Sequence, residues 1–452
     1  MKAPIKLLMI AHCFPPDTRV GAMRPARFCR YLPELGIQPV VLTVEEKFYP
    51  GVDRGFEFPH EFRIARTSMV TNPLNWWRPL KKVLSLESSS QNQSASESIR
   101  TEPAGLSWRD RVTSLFEFPD EDWGWYWPAL KMADRIIKEE KIDAIFSTSP
   151  PVITHSIGLK LKERYGLPWI LDFRDPWTEN VLAGGRPDWY MRKSRDLERR
   201  CVTKADVIIC NTDRIREAFT KQFPESQPER YLTITNGFEK DGGTQKPAGP
   251  SGHGIEVLHL GSLYSGRRLD GLAKAVAQLR KTSQLPSESV RFSFVGSVDP
   301  AMKALVEKKA PDLIHDGVLR FEDRVSFEEA QLRMWNANVL LLVQGSHTLQ
   351  IPAKFYEYLP TGKPMLAISE KGALTDILNE TEAGTWASPE DIPGIQNALL
   401  CALKMPTRLP SEVSAKYYKF DYRTLTDKLA ECVRSVVGTQ QPASLIVQRR
   451  GS

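Results

Sequence analysis

The feature that most constrains this chain is a repeated alternation of short, unbroken apolar runs with stretches of helical spacing. Residues 6–11 read as a buried strand. A turn with Pro15, Pro16 and Gly21 follows, then a helix over 24–35 with Phe28, Leu32 and Leu35 on one face, stopped by Gly36. Residues 39–43 are the next strand. Apolar runs that do not alternate suit a parallel sheet covered on both faces, because neither face meets water. The same pattern gives strands at 143–146, 169–171, 207–210 and 231–234, with helices over 152–165, up to 204, and over 212–223. Residues 241–254 break the pattern with Gly, Pro and polar residues, the composition of a linker. The alternation then restarts, with strands at 255–260, 291–295, 318–321, 339–343 and 365–368, the last clear one. Helices over 269–279, 300–309, 327–335 and 354–359 separate them.

Two such series predict an α/β fold of two Rossmann-like, doubly wound domains, 1–240 and 255–410, facing each other across a cleft. Ligands of such sheets sit beyond the carboxyl ends of the strands, so the cleft is the expected site. A length of 452 residues agrees with two domains. A net charge of +6, without basic residues clustered on one element, argues against a nucleic-acid partner. The six cysteines form neither a CxxC pair nor a Cys/His set with zinc spacing, so a reducing compartment and no structural metal are expected. No apolar run is long enough to cross a bilayer, and that at Leu7–Ile10 is too short for a signal peptide.

One stretch, 73–118, has no steady period. Its part 85–98 is nearly all Ser, Gln, Asn and Glu, and a disordered insert is expected over about 85–105. Just before it, Trp76 and Trp77 stand beside Lys81 and Lys82. These residues either touch a membrane interface or pin a long loop to the domain.

Four clusters follow strands and hold groups suited to chemistry. The turn 12–24 brings Gly21 to a helix start between Arg19 and Arg24, where backbone can approach an anion, or where the turn simply needs a small residue. Residues 171–177 (LDFRDPW) put Asp172, Arg174, Asp175 and Trp177 at a strand end, either as a reacting site or as an internal ion pair with a packed Trp. His155 opens the helix behind Ser149, Pro150 and Pro151 and is a candidate for the same cleft. Residues 261–268 combine Gly261 with Arg267 and Arg268, a candidate diphosphate cradle or an exposed basic turn. Residues 351–364 place Lys354 and Glu357 three apart on a short helix, to meet a phosphate and the two hydroxyls of a ribose, or only each other.

With PWILDFRDPW (168–177), VIICN (207–211) with Asn236–Gly237, and PAKFYEYLPTGKP (352–364), the chain resembles the retaining glycosyltransferase family 4 of the GT-B fold. It is most similar to bacterial members that build exopolysaccharide, capsule or lipopolysaccharide. The resemblance implies a metal-independent, retaining transfer from a nucleotide-sugar donor to a glycan or lipid-linked acceptor, in the cytoplasm at the inner face of the membrane. No cofactor beyond the donor is implied. It assigns Glu357 to the donor ribose, Arg267 or Arg268 and Lys354 to the diphosphate, and Gly21 to the first loop. A helix over 411–436 should return to the first domain, leaving 437–452 as a flexible tail. On the acceptor side, Asp175 is expected to act at the reacting centre, with Asp172 as the structural partner of Arg174. Where family members often carry a second glutamate, this chain has Leu349. A nucleotide-sugar epimerase of the same fold and a catalytically silent partner subunit are the competing readings.

Overall fold

The computed structural model describes residues 3–56, 61–70, 114, 117–179, 186–239, 254–264, 266–285 and 290–438. Trp76, Trp77, Lys81, Lys82, the insert expected over 85–105 and nearly all of the linker and tail lie outside them. The chain divides into two compact units, one of residues 1–235 with 422–452, the other of 236–421.

The first unit is built on a seven-stranded parallel sheet. Its strands are β1 (Ile5–Ile10), β2 (Ile37–Val44), β3 (Ile64–Thr67), β4 (Ala144–Ser149), β5 (Trp169–Phe173), β6 (Val207–Cys210) and β7 (Tyr231–Thr233), in the order β3-β2-β1-β4-β5-β6-β7. The helices are α1 (Met23–Tyr31), α2 (Tyr126–Glu140), α3 (Ile153–Tyr165), α4 (Asp188–Lys204) and α5 (Asp213–Gln222). The strand order reverses between β1 and β4, so the loops leaving their carboxyl ends diverge and open a crevice.

The second unit repeats the plan with six parallel strands. They are β8 (Ile255–Leu260), β9 (Val290–Val295), β10 (Leu319–Glu322), β11 (Val339–Val343), β12 (Met365–Ile368) and β13 (Gly384–Ala387), in the order β10-β9-β8-β11-β12-β13. Its helices are α6 (Asp270–Lys281), α7 (Pro300–Lys309), α8 (Phe327–Asn336), α9 (Ala353–Tyr358), α10 (Ala373–Thr381), α11 (Ile392–Lys404) and α12 (Pro410–Tyr417). Here the switch point lies between β8 and β11. Buried strands such as VLLLV in β11 and VIIC in β6 have no polar alternation because helices cover both faces.

The expected α/β class with two parallel sheets is what the chain forms. Several details differ from expectation. The first helix does not run through residue 35: it ends at Tyr31, because Pro33 has no amide hydrogen to continue it, and a short 3₁₀ turn closes on Gly36 in the left-handed region (φ 75°). Residues 236–239 belong to the second unit, and so does α12, which had been expected within a single returning helix over 411–436. The return starts only at Tyr422, with α13 (Tyr422–Gly438). That helix buries Leu425, Leu429 and Val433 in the first unit's core. Its Tyr422 lies edge-on to Phe28 at 5.7 Å and under the Arg27 guanidinium at 4.9 Å. Each such buried side chain contributes about 1.5–3 kcal/mol, enough to fix an amphipathic helix far from its sequence neighbours. Among the described residues no helix is long and apolar enough to cross a membrane.

Candidate active site

In the first unit, LDFRDPW runs off the end of β5. Asp172 is fully buried, and its carboxylate accepts from Arg24 Nη2 at 2.8 Å, Arg24 Nε at 3.1 Å and Thr148 Oγ1 at 2.6 Å. Arg24 also donates to the Ile234 and Thr235 carbonyls at 2.7 and 2.6 Å. The expected Asp172–Arg174 pairing is therefore corrected to Asp172–Arg24, a two-point ion pair joining α1 to β5. With no exposed surface, Asp172 is not placed to meet a substrate. Arg174 turns the other way and binds backbone: its Nε donates to Ser149 O at 2.8 Å, Nη1 to Gly21 O at 2.6 Å, and Nη2 to Pro150 O. A Cβ at position 21 would lie 2.2 Å from Arg174 Nη1. Gly21 is thus a glycine because a guanidinium packs against it, a reason local sequence could not reveal. Asp175, next along, is half-buried at the strand end.

His155 does not reach the crevice. It is fully buried, with Nδ1 2.9 Å from Ser147 Oγ and its ring edge-on to Phe173 at 4.8 Å. Burial, then the nearby Arg174 charge, hold its pKa down to about 3, so it stays neutral. It is a core residue, and the catalytic assignment made from its place at the helix start is withdrawn.

A cluster that the sequence reading missed lies at the end of β1. His12, 1% exposed, packs edge-on against Trp125 at 5.2 Å and points Nε2 at Asp122 Oδ1, 3.6 Å away. Burial, then Arg19, depress its pKa to about 3, so the imidazole is uncharged. Arg19 clasps the buried Asp17 through Nε at 2.8 Å and Nη2 at 2.6 Å. Asp120 accepts from the amides of Ile153 at 2.8 Å and Asp122 at 3.0 Å. Burial raises the pKa of both Asp120 and Asp122 above the ordinary carboxylate range. Asp122 keeps 19% of its side chain exposed. The available signal was compositional: three carboxylates, three tryptophans and a tyrosine within 120–127, just past the stretch with no steady period.

In the second unit the candidate donor residues gather at the carboxyl ends of the strands. Gly261 follows β8 with φ 135°, a conformation that other residues rarely adopt. At Gly345, just past β11, a Cβ would lie 1.9 Å from the Gly266 carbonyl, so the two loops touch backbone to backbone. Gln344 shapes the second of these loops by donating to His347 O at 2.6 Å and Gln350 O at 2.9 Å. Arg267 stacks over Tyr264 at 4.3 Å and donates to Ser262 O and Tyr264 Oη at 2.8 and 3.1 Å. Among the described residues it pairs with no carboxylate. Its charge helps lower the pKa of His347, after burial, and that of His259, which burial mainly holds near 3; the Lys354 charge also acts on His259. Arg267 follows β8 and Lys354 follows β11, and these two strands are neighbours in the sheet.

Arg268 differs from Arg267. It binds Asp270 at 3.2 Å and Glu390, and Asp270 also holds Lys309 at 3.0 Å. Of the two arginines, Arg267 is the one with charge to spare. Lys354 and Glu357 on α9 do pair, at 2.6 Å, and both remain partly exposed. Leu349 lies in the loop that Gln344 holds. The amino end of α10, with its positive dipole, begins at Gly372, whose amide donates to Thr375 Oγ1 at 2.9 Å, while Ala373 donates to Thr348 O at 2.7 Å.

Residues 82–241 match Glycosyltransferase Family 4, and residues 254–405 match the family described as Glycosyl transferases group 1. The first match takes in β4 to β7 of the first series, and the second takes in all six strands of the second series. The chain is 24% identical over 315 residues to the probable glycosyltransferase WbjE of Pseudomonas aeruginosa, across 65% of this chain and 75% of that one. The chain is a glycosyltransferase of the GT-B fold. Solved structures agree on the fold of this glycosyltransferase. The lipopolysaccharide outer core galactosyltransferase WaaB superposes with a TM-score of 0.59 at 12% identity, covering 95% of this chain and 99% of that one. HepE from Anabaena, in complex with UDP and glucose, gives 0.57 at 13%, covering 95% and 100%.

Proposed function

We propose that this glycosyltransferase takes its sugar from a nucleotide-sugar donor held by the second unit and passes it to a glycan or lipid-linked acceptor in cell-surface polysaccharide synthesis. The observation that carries the reading is Arg267, past the end of β8 and without a carboxylate partner among the described residues, with the Lys354–Glu357 pair past the end of the adjacent strand β11. Glu357 accepts from the ribose hydroxyls, while Arg267, Lys354 and the amino end of α10 meet the diphosphate. These fixed charges stabilise the departing nucleotide as negative charge builds on it, without a metal. A UDP complex of HepE and the lipopolysaccharide role of WaaB support the donor class and the pathway class. The transfer is retaining, as the family resemblance implies. Membrane contact through Trp76, Trp77, Lys81 and Lys82 brings a lipid-linked acceptor close.

On the acceptor side, Asp175 and Asp122 are the carboxylates proposed to orient the reacting hydroxyl. A panel of nucleotide sugars, followed by nucleotide release and by the anomeric configuration of the product, tests the reading. Release with retained configuration, slowed in Asp175→Asn and Asp122→Asn with donor binding intact, is the expected result. Epimerised donor without release would replace transfer by epimerisation, and inverted product would overturn the retaining assignment.

A further inference from the structure

A cavity of about 360 Å³ opens in the first unit between α2, α3 and α4, outside the groups assigned above. That size lies within the usual range of small-molecule sites, roughly 300–1,000 Å³. Trp123, Tyr126 and Trp127 supply aromatic surface on one side, and Trp127 is 69% exposed. Lys160, Glu163 and Arg200 stand on the other side, with Arg200 Nη2 donating to Glu163 Oε1 at 3.1 Å and Lys160 4.0 Å from the same carboxylate. Ser156 Oγ, also in the wall, is buried without a hydrogen-bond partner.

We infer that this cavity is a second saccharide site, holding a non-reacting sugar residue of the acceptor glycan. A sugar ring has an apolar face of C–H bonds that packs flat on an indole or phenol ring, and a rim of hydroxyls that both donate and accept. The aromatic wall matches the first, and the Lys160–Glu163–Arg200 group with Ser156 matches the second. An alkyl chain would cover these charges and the Ser156 hydroxyl without supplying hydrogen bonds, which costs free energy. The place in the fold fits an acceptor. Trp123 directly follows Asp122, and Ile153, whose amide is held by Asp120, lines the cavity. From Ile153 to Glu163 is ten residues of α3, roughly 15 Å along the helix. The cavity thus runs on from the segment that holds Asp120 and Asp122 along α3 for more than the length of one sugar ring. The inference rests on the reading of the acceptor as a glycan.

Saturation-transfer NMR of the full chain, with cellobiose, lactose and N,N′-diacetylchitobiose as separate probes, tests it. Nucleotide-sugar binding, measured in parallel, monitors the donor site. At least one disaccharide should receive saturation from the wild type. The signal should fall at least tenfold in Trp127→Ala, an exposed position that tolerates truncation, and also in Arg200→Met, with donor binding unchanged in both. No transfer to any of the three, or equal transfer in the variants, overturns the site. So does dodecyl phosphate binding that is lost in Trp127→Ala while the sugars stay silent, because the occupant is then an alkyl chain. Donor turnover with a failed sugar signal removes only this site. A Trp127-dependent sugar signal with no nucleotide released from any donor removes only the transferase reading.

Discussion

Buried charge in this enzyme is spent on joining elements, and Asp172 shows how. Its two oxygens are used by Arg24 and Thr148, so α1, β4 and β5 meet at one carboxylate. Arg24→Met would strand that charge away from water, and a broken buried pair costs on the order of 3–5 kcal/mol. The expected result is a urea midpoint far below that of the wild type; an unfolding free energy within about 0.5 kcal/mol of the wild type's would show that the pair is not structural. Sequence reading placed Asp172 correctly at a strand end but paired it with its neighbour Arg174. Distance along the chain suggested that pairing. The real partner lies 148 residues away, and only the fold brings it in. Gly21 was singled out for an anion and is explained by Arg174. Arg267 and Arg268 stood as equals in the sequence, and only the fold separates them, through the carboxylates that Arg268 binds.

At the scale of elements, Glu198 on α4 ties together three segments. It is fully buried, accepts from the Thr178 hydroxyl beyond β5, and receives Gln222 Nε2 from α5 at 3.3 Å. Burial pushes its pKa from 4.5 up to about 7 despite these donors. The sign follows from proton linkage. The folded state holds the proton more tightly than the unfolded chain, so stability falls as pH rises from about 4.5 to about 7 and is level above that. The full span corresponds to on the order of 3 kcal/mol. Glu198→Gln keeps an acceptor for Thr178 and removes the charge. Urea titrations of the two proteins should therefore diverge across that window, with the variant the more stable above pH 7; parallel curves would refute the assignment. Elements with strong period were legible in the sequence, among them β1, β11 and α3. β3, α2 and β13 were not. IART and GTWA are too short and polar to stand out, and α2 begins in the aromatic run after Asp122, which hid its helical face.

Across the whole molecule, two parallel sheets with their own switch points give two sets of strand-end loops, and the candidate groups divide between them. The first unit carries Asp175 past the end of β5, Asp122 facing His12 past the end of β1, and an aromatic cavity. The second carries glycine-lined loops, Arg267, and the Lys354–Glu357 pair. That division was readable as two βαβ series with a linker, because the sheet pattern depends only on local hydropathy. The cluster of His12, Arg19 and Asp122 was not, because it joins a β1 loop to a segment more than 100 residues later. The central claim is that the second unit's strand ends hold the donor. Calorimetric titration of the nucleotide-sugar panel against wild type, Glu357→Ala, Arg267→Ala and Arg268→Ala tests it most directly. The account predicts that one donor binds the wild type. Glu357→Ala and Arg267→Ala should each weaken it by about 1.5–3 kcal/mol, roughly tenfold to 150-fold, and Arg268→Ala by much less. Equal affinity in the wild type, Glu357→Ala and Arg267→Ala would contradict it.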